Sequence, residues 1–370
     1  MHFELPIGCF VAAFLVLIPF PWHWQARNVP TLSLMTWLFV VNLIDGVNSL
    51  LWAGSAAIKV PVWCDIVTKV QMGATFALPV SCLCLCVHLE RISSTRQAQS
   101  TPNQKNRRMI SDVFLCWIAP MVYMALHYVV QGHRFDIVED FGCRASIYDS
   151  VQSILLLWLP PLFVAVCTII YACSALHHFL QHRLAFARLL QDNHSALTPS
   201  RYFRLMSMVI VQIIWLSFVL SINVAFNSRH GLRPWISWSN VHSNFSRIGQ
   251  FPTMLIPPSD LRWTYLLWWS LRISAFLFFI FFAFGQDAIR EYSRYLGFMV
   301  DIFSKPSSCL RSQRSKRTLS SGLSMPYSGR LSSEPKFIIH PAPTTAISTE
   351  YDISVAGRKR DDSSISIENV

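Results

Sequence analysis

Long apolar blocks alternate with short polar gaps along most of this 370-residue chain. A helix that crosses a membrane needs about 20 mostly apolar residues. Seven stretches meet that length, at roughly 4–22, 33–57, 65–89, 111–131, 151–173, 205–226 and 263–285. The expected fold is an all-α integral membrane protein, a seven-transmembrane-helix bundle over residues 1–285. Beyond it, Ile289, Tyr292, Leu296, Met299 and Phe303 recur every three or four residues, with Arg290, Glu291, Arg294 and Asp301 between them. That spacing predicts a short amphipathic helix over 286–304 lying on the membrane surface. From 305 to 370 the chain is rich in Ser, Thr, Pro, Lys and Arg, which predicts a disordered tail open to kinases.

Composition agrees with the pattern. Only 14% of residues are charged and 52% are hydrophobic, against roughly a quarter charged in soluble domains. The leading "MHFE" has no Lys or Arg, so the first block reads as a spanning helix rather than a cleaved signal segment. The net charge of +11 is a topology signal, and nucleic acid is not an expected partner. Arg91, Arg96, Lys105, Arg107 and Arg108 fill the gap after the third block, and Arg183, Arg188, Arg201 and Arg204 the gap after the fifth. Asp136, Glu139, Asp140 and Asp149 dominate the gap after the fourth. The positive-inside rule puts the basic gaps and the tail in the cytoplasm and the N-terminus outside. The gap 227–262 dissents, being external by this count yet holding Arg229, Arg233, Arg247 and Arg262. Of two N-x-S sequons, Asn244 is then external and open to glycosylation, and Asn193 is cytoplasmic and bare.

Cys82, Cys84, Cys86 and His88 stand two residues apart and invite a zinc reading. Residues two apart on a helix point about 200° away from each other, so they cannot converge on one ion. They read instead as small, buried packing residues, and no metal or other cofactor is expected. Among the ten cysteines only Cys64 and Cys143 fall at external positions, so one disulfide is the most to expect.

Ionisable groups at membrane depth are costly and point to function. Asn42, Asp45 and Asn48 lie near the middle of the second block, and Arg272 lies in the seventh at a similar depth to Asp45. A closed ring makes those helices neighbours, so an Asp45–Arg272 pair flanked by the two asparagines is the expected buried polar switch. Asp65 precedes Lys69 by four residues, a favourable order for a charge pair. Asp65, Lys69, Met72 and Phe76 share one helix face and, with Tyr265, Trp268 and Arg272, are the candidate ligand-binding residues. Trp52, Trp63, Trp235, Trp238, Trp263, Tyr265, Trp268 and Trp269 crowd the helix ends, most of them as an interfacial belt. Pro79, Pro120, Pro160 and Pro161 interrupt the third, fourth and fifth helices. The catalytic signatures H-E-x-x-H, G-x-S-x-G and the P-loop do not occur, and Asp45 has no second carboxylate at its depth, so an enzyme is not expected.

Several stretches, taken in order, resemble the fungal mating pheromone receptors of the a-factor type, class D of the G-protein-coupled receptors. They are "LIDGVNSLLWAG", "VWCDIVTKVQMGATFALPVSCLCLCVHLERISSTR", "PPLFVAVCTIIYACSALHHFLQHRLAFARLL", "SRYFRLMSMVIVQIIW" and "FFAFGQDAIREYSRY". The third-helix form is most similar to basidiomycete mating-type receptors, and the resemblance covers about residues 5–300. It implies a multi-pass receptor of the plasma membrane for a secreted, farnesylated peptide pheromone. It also implies coupling to a heterotrimeric G protein and the mating response. Arg91, Arg107, Arg108, Arg183, Arg188, Arg201 and Arg204 then face the G protein and anionic membrane lipid. The resemblance further implies a Cys64–Cys143 bond, against both thiols staying free, and it leaves a homodimer open. One departure stands out: "HLERIS" has Glu90 before a lone Arg91 where the family carries a basic pair. The rival class is a small channel or transporter that uses Asp45, Lys69 and Arg272 as a polar pathway.

Overall fold

The computed structural model describes residues 2–94, 102–192, 199–229, 231–283 and residue 293. The expected amphipathic helix over 286–304 and the tail over 305–370 lie outside the described residues. The chain is mostly helical. In order come α1 (Glu4–Leu17), α2 (Phe20–Gln25), α3 (Val29–Leu51), α4 (Pro61–Ser93), α5 (Pro102–Val113) and α6 (Ala119–His127). A short α7 (Val151–Ser153) leads to α8 (Leu159–Asp192), α9 (Pro199–Ser228), α10 (Trp238–Val241) and α11 (Pro258–Ala283). Among the described residues six helical stretches are long and apolar enough to cross a membrane: Val29–Leu51, Pro61–Ser93, Asn103–Val130, Val151–Gln181, Tyr202–Ser228 and Pro258–Phe282.

The first block differs from its expected course. A single helix over 4–22 does not form, because Pro19 and Pro21 each remove an N–H donor and restrict the residue before them. Helix α1 stops at Leu17 after 14 residues, a rise of about 21 Å. The α1 helix packs between α3 and α11 all the same.

Prolines deeper in the bundle act differently. A π-helical turn, Phe114–Ile118, lies one turn before Pro120, and another, Ile154–Trp158, lies before Pro160 and Pro161. Pro120 cannot donate to the carbonyl of Cys116, and that oxygen accepts from Trp37 Nε1 at 3.2 Å and Ser33 Oγ at 3.4 Å on α3. Pro161 likewise frees the carbonyl of Leu157, which accepts the Tyr123 hydroxyl of α6 at 2.6 Å. Pro120 and Pro161 thus each leave a backbone acceptor to a neighbouring helix. Such freed oxygens need partners where no water can supply them.

Helix α4 is the hub and packs on α3, α6, α8 and α9. Its small residues make this possible. A Cβ added at Gly73 would come within 3.0 Å of Met124 Sδ, and Ala74, Ala77, Cys82, Cys84 and Cys86 are all buried. Large apolar side chains such as Phe163, Ile170 and Ile214 stand outward and exposed on the flanks, the arrangement expected where lipid is the solvent.

One end of the bundle carries an element the hydrophobic pattern did not predict. Strands β1 (Phe135–Val138), β2 (Gly142–Arg144) and β3 (Ile248–Phe251) form a sheet in the order β2-β1-β3. The β1 and β2 strands make an antiparallel hairpin, while β3, more than a hundred residues later, pairs with β1 in parallel from Phe135↔Ile248 to Val138↔Phe251. A disulfide joins Cys143 of β2 to Cys64 of α4. The hairpin also presses on α3. Gly142 has φ +84, and a Cβ there would fall 2.5 Å from Asn48 Cβ, so only glycine fits the turn.

Candidate functional site

The most deeply buried charges meet between α3 and α11. Arg272 is fully buried, and its Nη2 donates to Asp45 Oδ2 at 2.5 Å. Buried charges persist only when their remaining hydrogen-bonding positions are filled, and here most are. Arg272 Nη1 donates to the Trp268 carbonyl at 2.5 Å, and Nε and Nη2 donate to Cys9 Sγ at 3.1 and 2.9 Å. The indole of Trp268 lies under the guanidinium, 3.8 Å from ring centroid to Cζ. On the other side, Gln71 Nε2 of α4 donates to Asp45 Oδ1 at 2.8 Å. Four helices, α1, α3, α4 and α11, therefore converge on one ion pair.

The asparagines named with that pair do not join it. Asn42 Nδ2 donates back to the Leu38 carbonyl at 2.7 Å, and Asn48 Oδ1 accepts from Trp63 Nε1 at 2.8 Å. Sequence reasoning missed Gln71 and Cys9, because neither is ionised at neutral pH and each looks like ordinary helix packing. Their only signal was a polar or small residue inside an apolar block.

The expected Asp65–Lys69 pair is replaced by two separate arrangements. Asp65 takes a two-pronged bond from Arg134, with Nε at 2.9 Å and Nη2 at 2.5 Å. That bond holds the Arg134 guanidinium above its ordinary pKa. Lys69 turns the other way and donates to His127 Nδ1 at 2.9 Å and Gln131 Oε1 at 2.6 Å. Arginine's planar fork fits a carboxylate better than a lysine can, and Lys69 finds neutral acceptors inside the bundle. His127 Nε2 then bonds the Ser146 carbonyl at 3.0 Å, and Ser146 Oγ bonds His133 Nδ1 at 2.8 Å. His133 Nε2 bonds Asp136 Oδ1 at 2.6 Å. One chain of hydrogen bonds thus runs from α4 into β1.

The candidate ligand-binding residues fall into separate groups. Met72 and Phe76 pack in a cluster with Tyr123 and Trp158, where the rings of Phe76 and Tyr123 stack at 5.0 Å. Tyr265 and Trp268 pack instead with Leu5, Cys9 and Phe141 of the hairpin turn. A cavity of about 310 Å³ opens elsewhere, where the sheet meets the ends of α9 and α11; Arg144, Asp149, Phe226, Phe251, Ile256 and Asp260 line it. It contains none of the seven.

The sheet is held down at many points. Glu139 Oε2 accepts from Thr253 N and Oγ1 at 2.7 and 2.9 Å, tying the hairpin to the segment after β3. Gly54 N donates to Asp140 Oδ1 at 2.8 Å, tying it to the end of α3. Asn244 is exposed in the same region. At the opposite end of the bundle Arg107 is exposed, while Arg91, Arg108 and Arg204 are half-buried. The side chains of Arg183, Arg188 and Arg201 lie outside the described residues. Among the described residues no group of three or more His, Cys, Asp or Glu is placed to hold a metal ion.

Comparison with known proteins covers the whole helical part. Residues 4–301 match the family model described as Pheromone A receptor. The "Pheromone B beta 1 receptor" of Schizophyllum commune is 50% identical over 297 residues, which are 80% of this chain and 55% of that protein. "Pheromone receptor 1" of Mycosarcoma maydis is 31% identical over 290 residues, 78% of this chain and 81% of that protein. The "Pheromone a factor receptor" of Saccharomyces cerevisiae is 24% identical over 306 residues, 80% of this chain and 63% of that protein. The chain spans about half the length of the Schizophyllum relatives it matches. With its helices, its buried ion pair and its loop sheet all inside the matched residues, this chain belongs to the Pheromone A receptor family.

Proposed function

We propose that the protein is a G-protein-coupled receptor for a secreted, farnesylated peptide mating pheromone. In this reading α1 with α2 makes a seventh span, the N-terminus and the sheet face outward, and the molecule sits in the plasma membrane. The observation that carries it is the family match over residues 4–301, which takes in every described helix. Ligand binding on the sheet side shifts the bundle toward a state that binds a heterotrimeric G protein on the basic side. Such a shift needs only a difference in ligand affinity between two conformations. The Asp45–Arg272 pair suits that role, because an ion pair shared by four helices cannot deform gradually.

The transporter reading has less support. Lys69 donates to His127 and Gln131, apart from the buried Asp45–Arg272 pair, so the three ionisable groups are bonded in two separate groups. The test is nucleotide exchange on a fungal Gα in membranes that contain this protein. Farnesylated mating peptides are expected to stimulate exchange, and unfarnesylated versions are not. Solute flux that Asp45→Asn abolishes, together with silence to every lipidated peptide, would overturn the receptor reading.

A further inference from the structure

His133 stands two residues before β1 and is held by groups from around all three strands. Its Nε2 meets Asp136 Oδ1 of β1 at 2.6 Å, and its Nδ1 meets Ser146 Oγ, just past β2, at 2.8 Å. The same Nδ1 lies 3.1 Å from Nη2 of Arg247, the residue that leads into β3. A guanidinium can only donate. Nδ1 must therefore accept, and the single ring proton sits on Nε2, facing Asp136. Those contacts define a neutral imidazole.

The surroundings are closely built. Gly249 of β3 stands opposite Asp136, and a Cβ there would collide with Oδ1, the oxygen that accepts from His133. Arg144 of β2 approaches the other carboxylate oxygen at 3.5 Å. Arg134, next in the chain, is turned to Asp65 of α4. His127 of α6 connects to His133 through Ser146, with Lys69 of α4 behind it. The His133 ring thus sits between one carboxylate and one guanidinium, and the guanidinium belongs to the arm that carries β3. Its side chain is 16% exposed, so protons from solvent reach it.

We propose that His133 is an acid-sensitive joint between β1 and the arm that leads into β3. A second proton has one place to go, the Nδ1 lone pair that now takes the Arg247 bond. Once protonated, Nδ1 turns from acceptor to donor. Ser146 Oγ can follow that change, because a hydroxyl both donates and accepts. Arg247 cannot, and it then faces an imidazolium of its own sign. The bond to Asp136 meanwhile becomes one between full charges, which are the stronger kind. Acid therefore tightens His133 onto β1 and releases the Arg247 side chain. The backbone pairing stays, including Arg134 N to the Arg247 carbonyl at 3.2 Å, so the arm loosens without leaving. One consequence rests on the receptor reading above: the loosened arm lies on the face offered to the peptide.

The test is hydrogen exchange on the full chain in lipid nanodiscs. No peptide or G protein is added, so its outcome stands apart from the receptor reading. Protection factors are compared, which removes the intrinsic pH dependence of exchange. Imidazole is the side chain that changes charge between about pH 5 and 8. Over that fall in pH, protection at residues 248–251 is expected to drop about two- to ten-fold, the effect of losing one hydrogen bond. Residues 142–144 are expected to keep theirs. His133→Gln offers a donor to Asp136 and an acceptor to Arg247 but cannot titrate, so it is expected to abolish the drop. Arg247→Gln is expected to abolish it too, because an amide can donate to Nδ1 or accept from it; this variant serves if the first folds poorly. A flat profile in the unmodified chain overturns the joint. So does a drop shared equally by 142–144 and 248–251. A drop of full size in either folded variant also overturns it and assigns the effect to another group, with Asp136 the first to examine.

Discussion

The ion pair between α3 and α11 and the loop sheet at the end of the bundle are both polar, and they are built on opposite terms. Asp45 and Arg272 are 5% and 0% exposed, and their partners come from four helices. Arg134 and Asp65, at the sheet end, have side chains 34% and 38% exposed. The first site is concentrated, so removing one member strands a charge where no water can reach it. The second is distributed over strand pairing, a disulfide, Glu139 with Thr253, Asp140 with Gly54, and Arg134 with Asp65. Losing one of these leaves the others in place. The comparison teaches how polar contacts in a bundle can fail. A concentrated pair is lost as a unit, whereas a distributed plate loses its ties one at a time.

Arg272→Leu is expected to have the largest effect, destabilising the bundle by about 3–5 kcal/mol, because Asp45 is then buried without its partner. Thermal unfolding in nanodiscs measures it. The pair Asp45→Leu with Arg272→Met is expected to recover most of that loss, since well-packed apolar residues replace a buried ion pair at little net cost. If the double variant were no better than the single one, the site would not be a concentrated pair.

Next comes Cys64→Ser with Cys143→Ser. Opening a cross-link that spans 79 residues is expected to cost about 2–4 kcal/mol. Hydrogen exchange should quicken over residues 135–144 and 248–251 while amides around Asp45 and Arg272 stay protected. Equal quickening in both places would show that plate and bundle unfold as one unit and would erase the distinction drawn here.

The smallest expected effect is that of Arg134→Gln, under about 1 kcal/mol, because half-exposed pairs contribute little. It should shrink further as salt is raised. A larger loss, insensitive to salt, would mean that this corner of the plate is as concentrated as the ion pair.

Much of this architecture was legible along the chain. Apolar blocks located the long helices, since a bilayer demands a run of about 20 residues whatever the fold. Depth counting placed Asp45 and Arg272 at one level. Other features had no local signal. Strand β1 is four residues long, and its parallel partner β3 lies more than a hundred residues away, so no hairpin spacing betrays it. Asp65 had a good local partner in Lys69 and took a distant one in Arg134, because helix spacing ranks only neighbours on the same helix. The prolines marked interruptions, yet nothing in the chain said that the freed carbonyls of Cys116 and Leu157 would accept from α3 and α6.

By itself, then, the sequence determined the class of solvent, the number and depth of the apolar blocks, the uneven charge between gaps, and the polar residues that could not be left alone in a membrane. Those follow from transfer energies, which depend on residue type and run length. Tertiary structure decided the partners: Gln71 and Cys9 for the ion pair, α3 and α6 for the proline-freed carbonyls, and β3 for β1. Partnership is a matter of distance between segments far apart in the chain, and only the packed bundle sets those distances.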